Sequence, residues 1–100
     1  MSISSTDLEI EILAFLLEEN DEVRFIDIVE ALLNYHRVPK DSDAASPLKV
    51  RIHRILQALA KRHLVSHNKI SHRNVRYGIQ DHNRVKLILA ADAEIGRAHV

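Results

Sequence analysis

The apolar residues of this chain change from helical to strand-like spacing within one uninterrupted segment. A stripe with three- and four-residue spacing predicts an amphipathic helix over residues 47–62, and it consists of Leu48, Ile52, Leu56 and Leu59. Apolar and polar residues then alternate over residues 75–79, which predicts a half-buried strand within a hairpin over residues 64–79. A helix joined directly to a hairpin favours a small α+β domain, mainly α.

Two helices are predicted before this unit. The sequence Thr6-Asp7-Leu8-Glu9 has the spacing of a capping box, so Thr6 is expected to open a helix over residues 6–19. A second helix is predicted over residues 26–36. Between them, we interpret residues 23–25 as a short extended segment that pairs with a later strand.

A loop and a last helix complete the predicted order of elements. Residues 37–47 contain two prolines, several turn-forming residues and no apolar periodicity, which indicates a loop. At its end, Ser46 is expected to cap the next helix and Pro47 to occupy the first turn. After the hairpin, Asp81 is expected to cap a final helix over residues 82–93.

The composition limits the chain to one domain and excludes several kinds of chemistry. One hundred residues with 46% hydrophobic content suit a single globular core, which we assign to residues 1–93. Because there is no cysteine, disulfides and thiolate metal sites are excluded. The longest apolar run, residues 12–17, is too short to span a bilayer. We therefore expect a cytoplasmic protein without membrane association, at the nucleoid if it is prokaryotic.

The last seven residues, 94–100, resemble translated sequencing adapter. One choice of codons for Glu-Ile-Gly-Arg-Ala-His-Val spells the start of a widely used short-read adapter. We interpret this tail as non-native and assign no role to Arg97 or His99.

Charge is segregated along the chain, although the formal net charge is zero. Residues 1–30 hold nine carboxylates and one base, for a net charge of −8. Residues 45–86 hold ten bases and one acid, for a net charge of +9. The predicted helix and hairpin lie in this basic segment, which suits a polyanionic partner, and nucleic acid is the first candidate.

The order of elements resembles the winged helix-turn-helix family. The resemblance is most specific in the recognition helix and the two wing strands, here Ile52, Leu56, Leu59, Leu64 and Val65, and then Tyr77-Gly78-Ile79. It implies a three-helix core, a two-stranded hairpin as the wing and a C-terminal helix. Two features depart from the family. His63 stands where glycine is usual, which histidine tolerates because it adopts left-handed conformations more readily than most residues, and the eleven-residue loop 37–47 exceeds the usual turn of three or four residues.

The resemblance implies duplex DNA binding, with helix 47–62 in the major groove and the hairpin against the backbone or minor groove. The implied contacts on the helix are Lys49, Arg51, His53, Arg54 and Gln57, since arginine can pair with guanine and glutamine with adenine. On the wing, phosphates would be met by Lys69, His72, Arg73 and Arg76. The implied role is transcriptional regulation without catalysis, cofactor or metal, and it is compatible with a homodimer.

Other interpretations of the same residues stay open. Winged-helix domains also serve as protein-interaction scaffolds, and the acidic and basic halves could join this chain to a partner or to a second copy. Arg51 and Arg54 could be solvated, or could pair with the acidic first helix. RNA is a weaker candidate, because Tyr77 is the only aromatic residue in the basic half that could stack on an RNA base. The histidine spacing matches no zinc motif, and no nucleophile or phosphate-loop motif indicates an enzyme.

Overall fold

The computed structural model describes residues 3–95, which form four helices and one three-stranded antiparallel sheet. The helices are α1 (Ser5–Glu19), α2 (Phe25–Tyr35), α3 (Ala45–Lys61) and α4 (His82–Ile95), and the strands are β1 (Val23–Arg24), β2 (Val65–Ser71) and β3 (Asn74–Ile79). The mainly helical α+β class predicted from the sequence is therefore confirmed. None of these helices is both long enough and apolar enough to cross a membrane.

The sheet has the order β1-β3-β2, so β3 is its central strand. Strand β1 pairs with β3 through Val23 opposite Tyr77, which confirms that the short segment before α2 is extended and pairs with a later strand. Strands β2 and β3 form the predicted hairpin, with a register irregularity between Lys69 and Ser71. The sheet therefore ties the start of α2 to the hairpin that follows α3.

The core lies between the helices and one face of the sheet. The predicted apolar stripe of α3 is buried throughout, since Leu48, Ile52, Leu56 and Leu59 are at most 4% exposed. Helix α1 contributes Leu8, Ile12, Leu13 and Leu16, and α4 contributes Val85. Because the α3 stripe faces this core, the basic residues of α3 are left on its sides and its outer face.

Two helix starts differ from the sequence-based expectation. Helix α1 is capped by Ser4, whose hydroxyl accepts a 3.0 Å hydrogen bond from the Asp7 amide, so the predicted Thr6 cap is wrong. Leu8 belongs to the core cluster and Ile3 packs against it, and the two stand at the positions of a hydrophobic staple around Ser4. That apolar pair favours the earlier start.

Helix α3 begins at Ala45 and not at Pro47, and Ser46 is not its cap. The N-cap position is Ala44, which has no capping side chain. Burial of Ala45 in the core accounts for the earlier start. Pro47 still lies in the first turn, where its missing amide hydrogen costs no helical hydrogen bond.

The predicted start and end of α4 agree more closely with the structure. The Asp81 carboxylate accepts a 3.1 Å hydrogen bond from the Arg84 amide, which confirms it as the cap of α4. Helix α4 extends to Ile95, two residues past the predicted end. Residues 96–100 of the adapter-like tail lie outside the described part of the chain.

His63 links α3 to the hairpin in a left-handed conformation, with φ of 58°. The Leu64 amide donates to the Leu59 carbonyl at 3.1 Å, and the His63 amide donates to the Ala60 carbonyl at 3.0 Å. These two bonds form a Schellman motif. The expectation that histidine takes the place of a left-handed glycine is thus confirmed, and this turn directs the chain from α3 into β2.

Candidate nucleic-acid interface

The segment that contains α3 and the hairpin has no carboxylate side chain between residues 45 and 80. Four ion pairs occur in residues 3–95, and one of them involves this segment, between Arg62 and Glu9 at 2.9 Å. Five exposed bases of the segment take part in none of these four pairs: Lys49, Arg54, Lys61, Lys69 and Arg73. Their charges are not neutralised by ion pairs within the described residues.

A groove of about 340 Å³ separates α3 from the hairpin. Helix α3 contributes His53 and Gln57, and the hairpin contributes His67, Lys69, His72, Val75 and Tyr77. Alternation along the strands explains the hairpin set, because His67 pairs with Tyr77 and Lys69 with Val75 on one face of the sheet. The groove therefore combines an apolar and aromatic lining with imidazole and ammonium groups.

Aromatic contacts fix the lining of this groove. His53 packs edge-on against Phe25, with ring centroids 5.7 Å apart. His67 lies beside Tyr77, with ring centroids 5.2 Å apart. Burial raises the pKa of the Tyr77 hydroxyl above 10.0, and the hydrogen bond from Gln57 partly offsets that rise. Tyr77 is therefore a neutral part of the groove.

Arg54 and Lys61 lie on the outer face of α3. Both side chains are exposed, and their spacing of seven residues puts them on the same side of the helix, opposite the buried stripe. Val50, four residues before Arg54, is 46% exposed on the same face. Lys49 is exposed nearer to α2, where it borders a surface depression that Glu30 and Lys40 also line. The outer face of α3 is thus basic, with one exposed apolar side chain.

Arg51 lies one turn before Arg54 on α3, but its side chain is bound within the protein. Its guanidinium donates to the Ile3 carbonyl and, at 3.4 Å, to the Ser5 hydroxyl. Arg62, on the same side of α3, pairs with Glu9 of α1. Neither Arg51 nor Arg54 is in an ion pair with the acidic first helix among the four pairs: Arg51 binds a carbonyl and a hydroxyl at its start, and Arg54 is exposed. Arg51 tethers the start of α1 to α3.

The predicted wing residues fall on two faces. His72 and Arg73 occupy the turn between β2 and β3, where both are exposed. Arg76 alternates with Tyr77 and therefore lies on the sheet face opposite the groove, where its Nε donates to Asn74 at 3.3 Å. Asn68, the cross-strand partner of Arg76, donates to Glu22 at 3.4 Å. The groove side of the hairpin thus holds Lys69 and His72 together, and Arg76 is separated from them.

Comparison of the chain with protein-family models, with curated proteins and with solved structures finds no match. The assignment of a function therefore depends on the residues and geometry of this chain. In residues 3–95 no three histidine or carboxylate side chains are arranged to hold a metal ion.

Two basic residues of this surface are absent from the contacts implied by the sequence. Lys61 stands at the end of α3, where the helix dipole alone favours a cation, and it continues the exposed face that begins at Arg54. His67 lines the groove beside Lys69. Its two-residue spacing from Lys69 on a strand is a sequence signal that could have identified it.

Proposed function

We propose that this chain is a winged-helix domain that binds duplex DNA through the outer face of α3 and the groove side of the hairpin. The observation that carries the proposal is the segment 45–80, which has no acidic residue and in which exposed bases of both elements lie outside the ion pairs of the fold. Such bases can neutralise phosphates without first breaking internal ion pairs. Phosphate neutralisation is the main source of affinity in most DNA complexes.

The shape of α3 supports insertion into the major groove. A helix of this length with polar and basic side chains on its outer face matches the width of that groove. Arg54 is the best candidate for a base contact, because it lies at the centre of the outer face and can bind guanine with two hydrogen bonds. Lys61, at the end of the helix, is suited to a phosphate.

The hairpin supplies a second contact. Lys69 and Arg73 lie along the groove-facing edge and the turn, where they can meet the backbone beside the major groove. Arg51 and Gln57 are left out of this proposed interface, because their side chains bind Ile3 and Tyr77 within the protein. The proposed contacts are therefore Lys49, His53, Arg54, Lys61, Lys69, His72 and Arg73.

The scaffolding alternative is less well supported. A protein-binding helix is expected to expose several leucines or aromatic residues. Val50 is the only large hydrophobic residue of α3 that is strongly exposed. The outer face of α3 is dominated by charge, which favours a polyanion over an apolar protein surface.

A titration of labelled duplex DNA at several salt concentrations tests the proposal. If the four exposed bases other than Arg54 each meet a phosphate, log Kd is expected to change with log salt with a slope of magnitude about 3.6. The double variant Arg54→Glu with Lys69→Glu is expected to weaken binding at least about 100-fold at low salt, because it replaces two attractive contacts by repulsive ones.

The matched control is Arg84→Glu with Lys86→Glu, which alters the net charge equally on the exposed surface of α4. This control is expected to weaken binding far less than the α3 and hairpin variant. Equal losses in the two double variants, or binding without salt dependence, would contradict the proposed interface. Thermal melting of each variant checks that it is folded.

A further inference from the structure

A second groove, of about 450 Å³, lies between α1, α2 and α4. Its apolar lining comes from all three helices and includes Ala14, Phe15, Ala31, Leu32 and Leu89. Tyr35, which is 67% exposed, stands at its edge. The small alanine side chains of α1 and α2 keep the helices from filling the space between them. The volume lies in the range of sites that bind small organic molecules.

The charged residues that line this groove are all acidic. Glu11 and Glu18 of α1 and Asp92 of α4 border the apolar surface, and no lysine or arginine lines it. The Glu11 side chain is 14% exposed, and its Oε1 atom lies 2.5 Å from Nε2 of His36. An organic molecule in the groove would therefore meet carboxylate oxygens around an apolar and aromatic surface.

The helix directions reinforce this negative character. The groove reaches the last turn of all three helices, at Glu18 in α1, at Tyr35 in α2 and at Ala93 in α4. The C-terminal end of a helix carries a partial negative charge and favours cations. Aromatic faces such as those of Phe15 and Tyr35 also attract organic cations.

We propose that this groove binds a small amphipathic organic cation, such as a quaternary or protonated amine with an apolar body. The apolar body would lie against the alanines and Phe15, and the positive charge would lie toward Glu18. This site is separate from α3 and the hairpin, and it does not depend on the proposed DNA binding. It therefore adds a ligand class to a surface that the DNA proposal leaves unused.

Two probes of nearly the same shape and opposite charge test the proposal. Tetraphenylphosphonium carries a positive charge within an apolar shell, and tetraphenylborate carries a negative one. Each is titrated into the chain while two-dimensional amide NMR spectra are recorded. The cation is expected to shift the amides around Ala14, Ala31 and Leu89 in a saturable way, with an affinity at least about tenfold above that of the anion at this site.

Two variants locate the site. Glu18→Gln removes charge from the groove and is expected to weaken cation binding about tenfold. Its control is Glu19→Gln, which removes an exposed acid that does not line the groove. Ala31→Leu keeps the charges but fills the groove, and it is expected to abolish the saturable shifts. Ala90→Leu is the matched control on an exposed position of α4.

Several results would overturn the proposal. Equal affinity for the two probes at the groove would show that charge has no role there. Shifts that map elsewhere, or that persist in Ala31→Leu, would exclude this groove as the site. Concentration-dependent self-association that is lost in Ala31→Leu would show that a second copy covers the groove. Because DNA is absent from all these measurements, their failure is distinguishable from failure of the proposed DNA binding.

Discussion

The side-chain amide of Gln57 on α3 donates a 2.9 Å hydrogen bond to the hydroxyl of Tyr77 on β3. Tyr77 is 1% exposed and lies on the central strand of the sheet. One polar contact thus joins the middle of the basic helix to the strand from which the hairpin is built. The relative position of the two proposed DNA-binding elements depends on this contact and on the packing around it.

Removal of the hydrogen bond between Gln57 and Tyr77 is expected to lower the free energy of unfolding. The effects of substituting the two residues are expected to be coupled. Gln57→Leu and Tyr77→Phe each remove one partner, and the interaction energy from a double-mutant cycle is expected to be about 1 kcal/mol. Urea denaturation of the wild type, the two single variants and the double variant measures it. Purely additive losses would show that the two side chains do not stabilise each other.

The raised pKa of Tyr77 predicts a loss of stability at alkaline pH. Burial lifts this pKa above 10.0 in the folded chain, whereas an unfolded tyrosine ionises near 10. Between these two values the unfolded chain binds fewer protons than the folded chain, so the free energy of unfolding falls as pH rises. The stabilisation that comes from the raised pKa of Tyr77 is fully present below about pH 10 and is lost as the pH rises through the folded-state pKa.

Ultraviolet absorbance of tyrosinate measures this ionisation, with Tyr77→Phe as the reference that lacks the late phase. Gln57→Leu is expected to raise the pKa of Tyr77 further, because the hydrogen bond that this substitution removes stabilises the ionised tyrosine. A fall in this pKa in the Gln57 variant would contradict the assigned cause.

Replacement of His63 by glycine is expected to stabilise the chain. His63 has a φ of 58°, where a side chain with a Cβ atom is strained and glycine is not. We expect His63→Gly to raise the free energy of unfolding by about 0.5–1 kcal/mol and His63→Val to lower it by at least as much. His72→Gly, in the hairpin turn at a residue without positive φ, is the control and is expected not to stabilise.

The contact between Glu11 and His36 is expected to matter more than the exposed ion pairs. Oε1 of Glu11 and Nε2 of His36 lie 2.5 Å apart, and both side chains are 14% exposed. Glu11→Ala is expected to lower the free energy of unfolding by about 1–3 kcal/mol. Glu30→Ala, which breaks the exposed ion pair with Lys40, is expected to lower it by less than about 1 kcal/mol. Equal effects in urea denaturation would show that burial adds nothing to this contact.

Periodicity alone predicted most of the elements. The stripe from Leu48 to Leu59 is buried, and the alternation that ends at Ile79 forms β3. These predictions succeed because each pattern of apolar residues extends over several helical turns or several residue pairs of a strand. A single residue that departs from the pattern therefore does not change the predicted element. The start of α1 was predicted less well because several hydroxyl residues compete for its cap, and α3 begins before Ser46 at a position without a capping side chain.

The candidate site was predicted only in part. Position on α3 identified Arg54 as outward-facing, but it did not separate Arg54 from Arg51, whose partner Ile3 is distant in sequence. The same limit applies to Gln57 and Tyr77. On the hairpin, alternation is sufficient to separate Lys69 from Arg76 once the register is known.

The sequence by itself determined the mainly helical α+β class, the amphipathic helix that precedes the hairpin, and the segregation of acidic and basic residues. These properties follow from local spacing and composition, which act over a few residues. Only the tertiary structure decided which bases are bound within the protein, which lie along the groove between α3 and the hairpin, and where the acidic groove of α1, α2 and α4 forms. Those outcomes depend on contacts between residues far apart in the chain, such as Arg51 with Ile3 and Gln57 with Tyr77, and packing of the whole core sets their geometry.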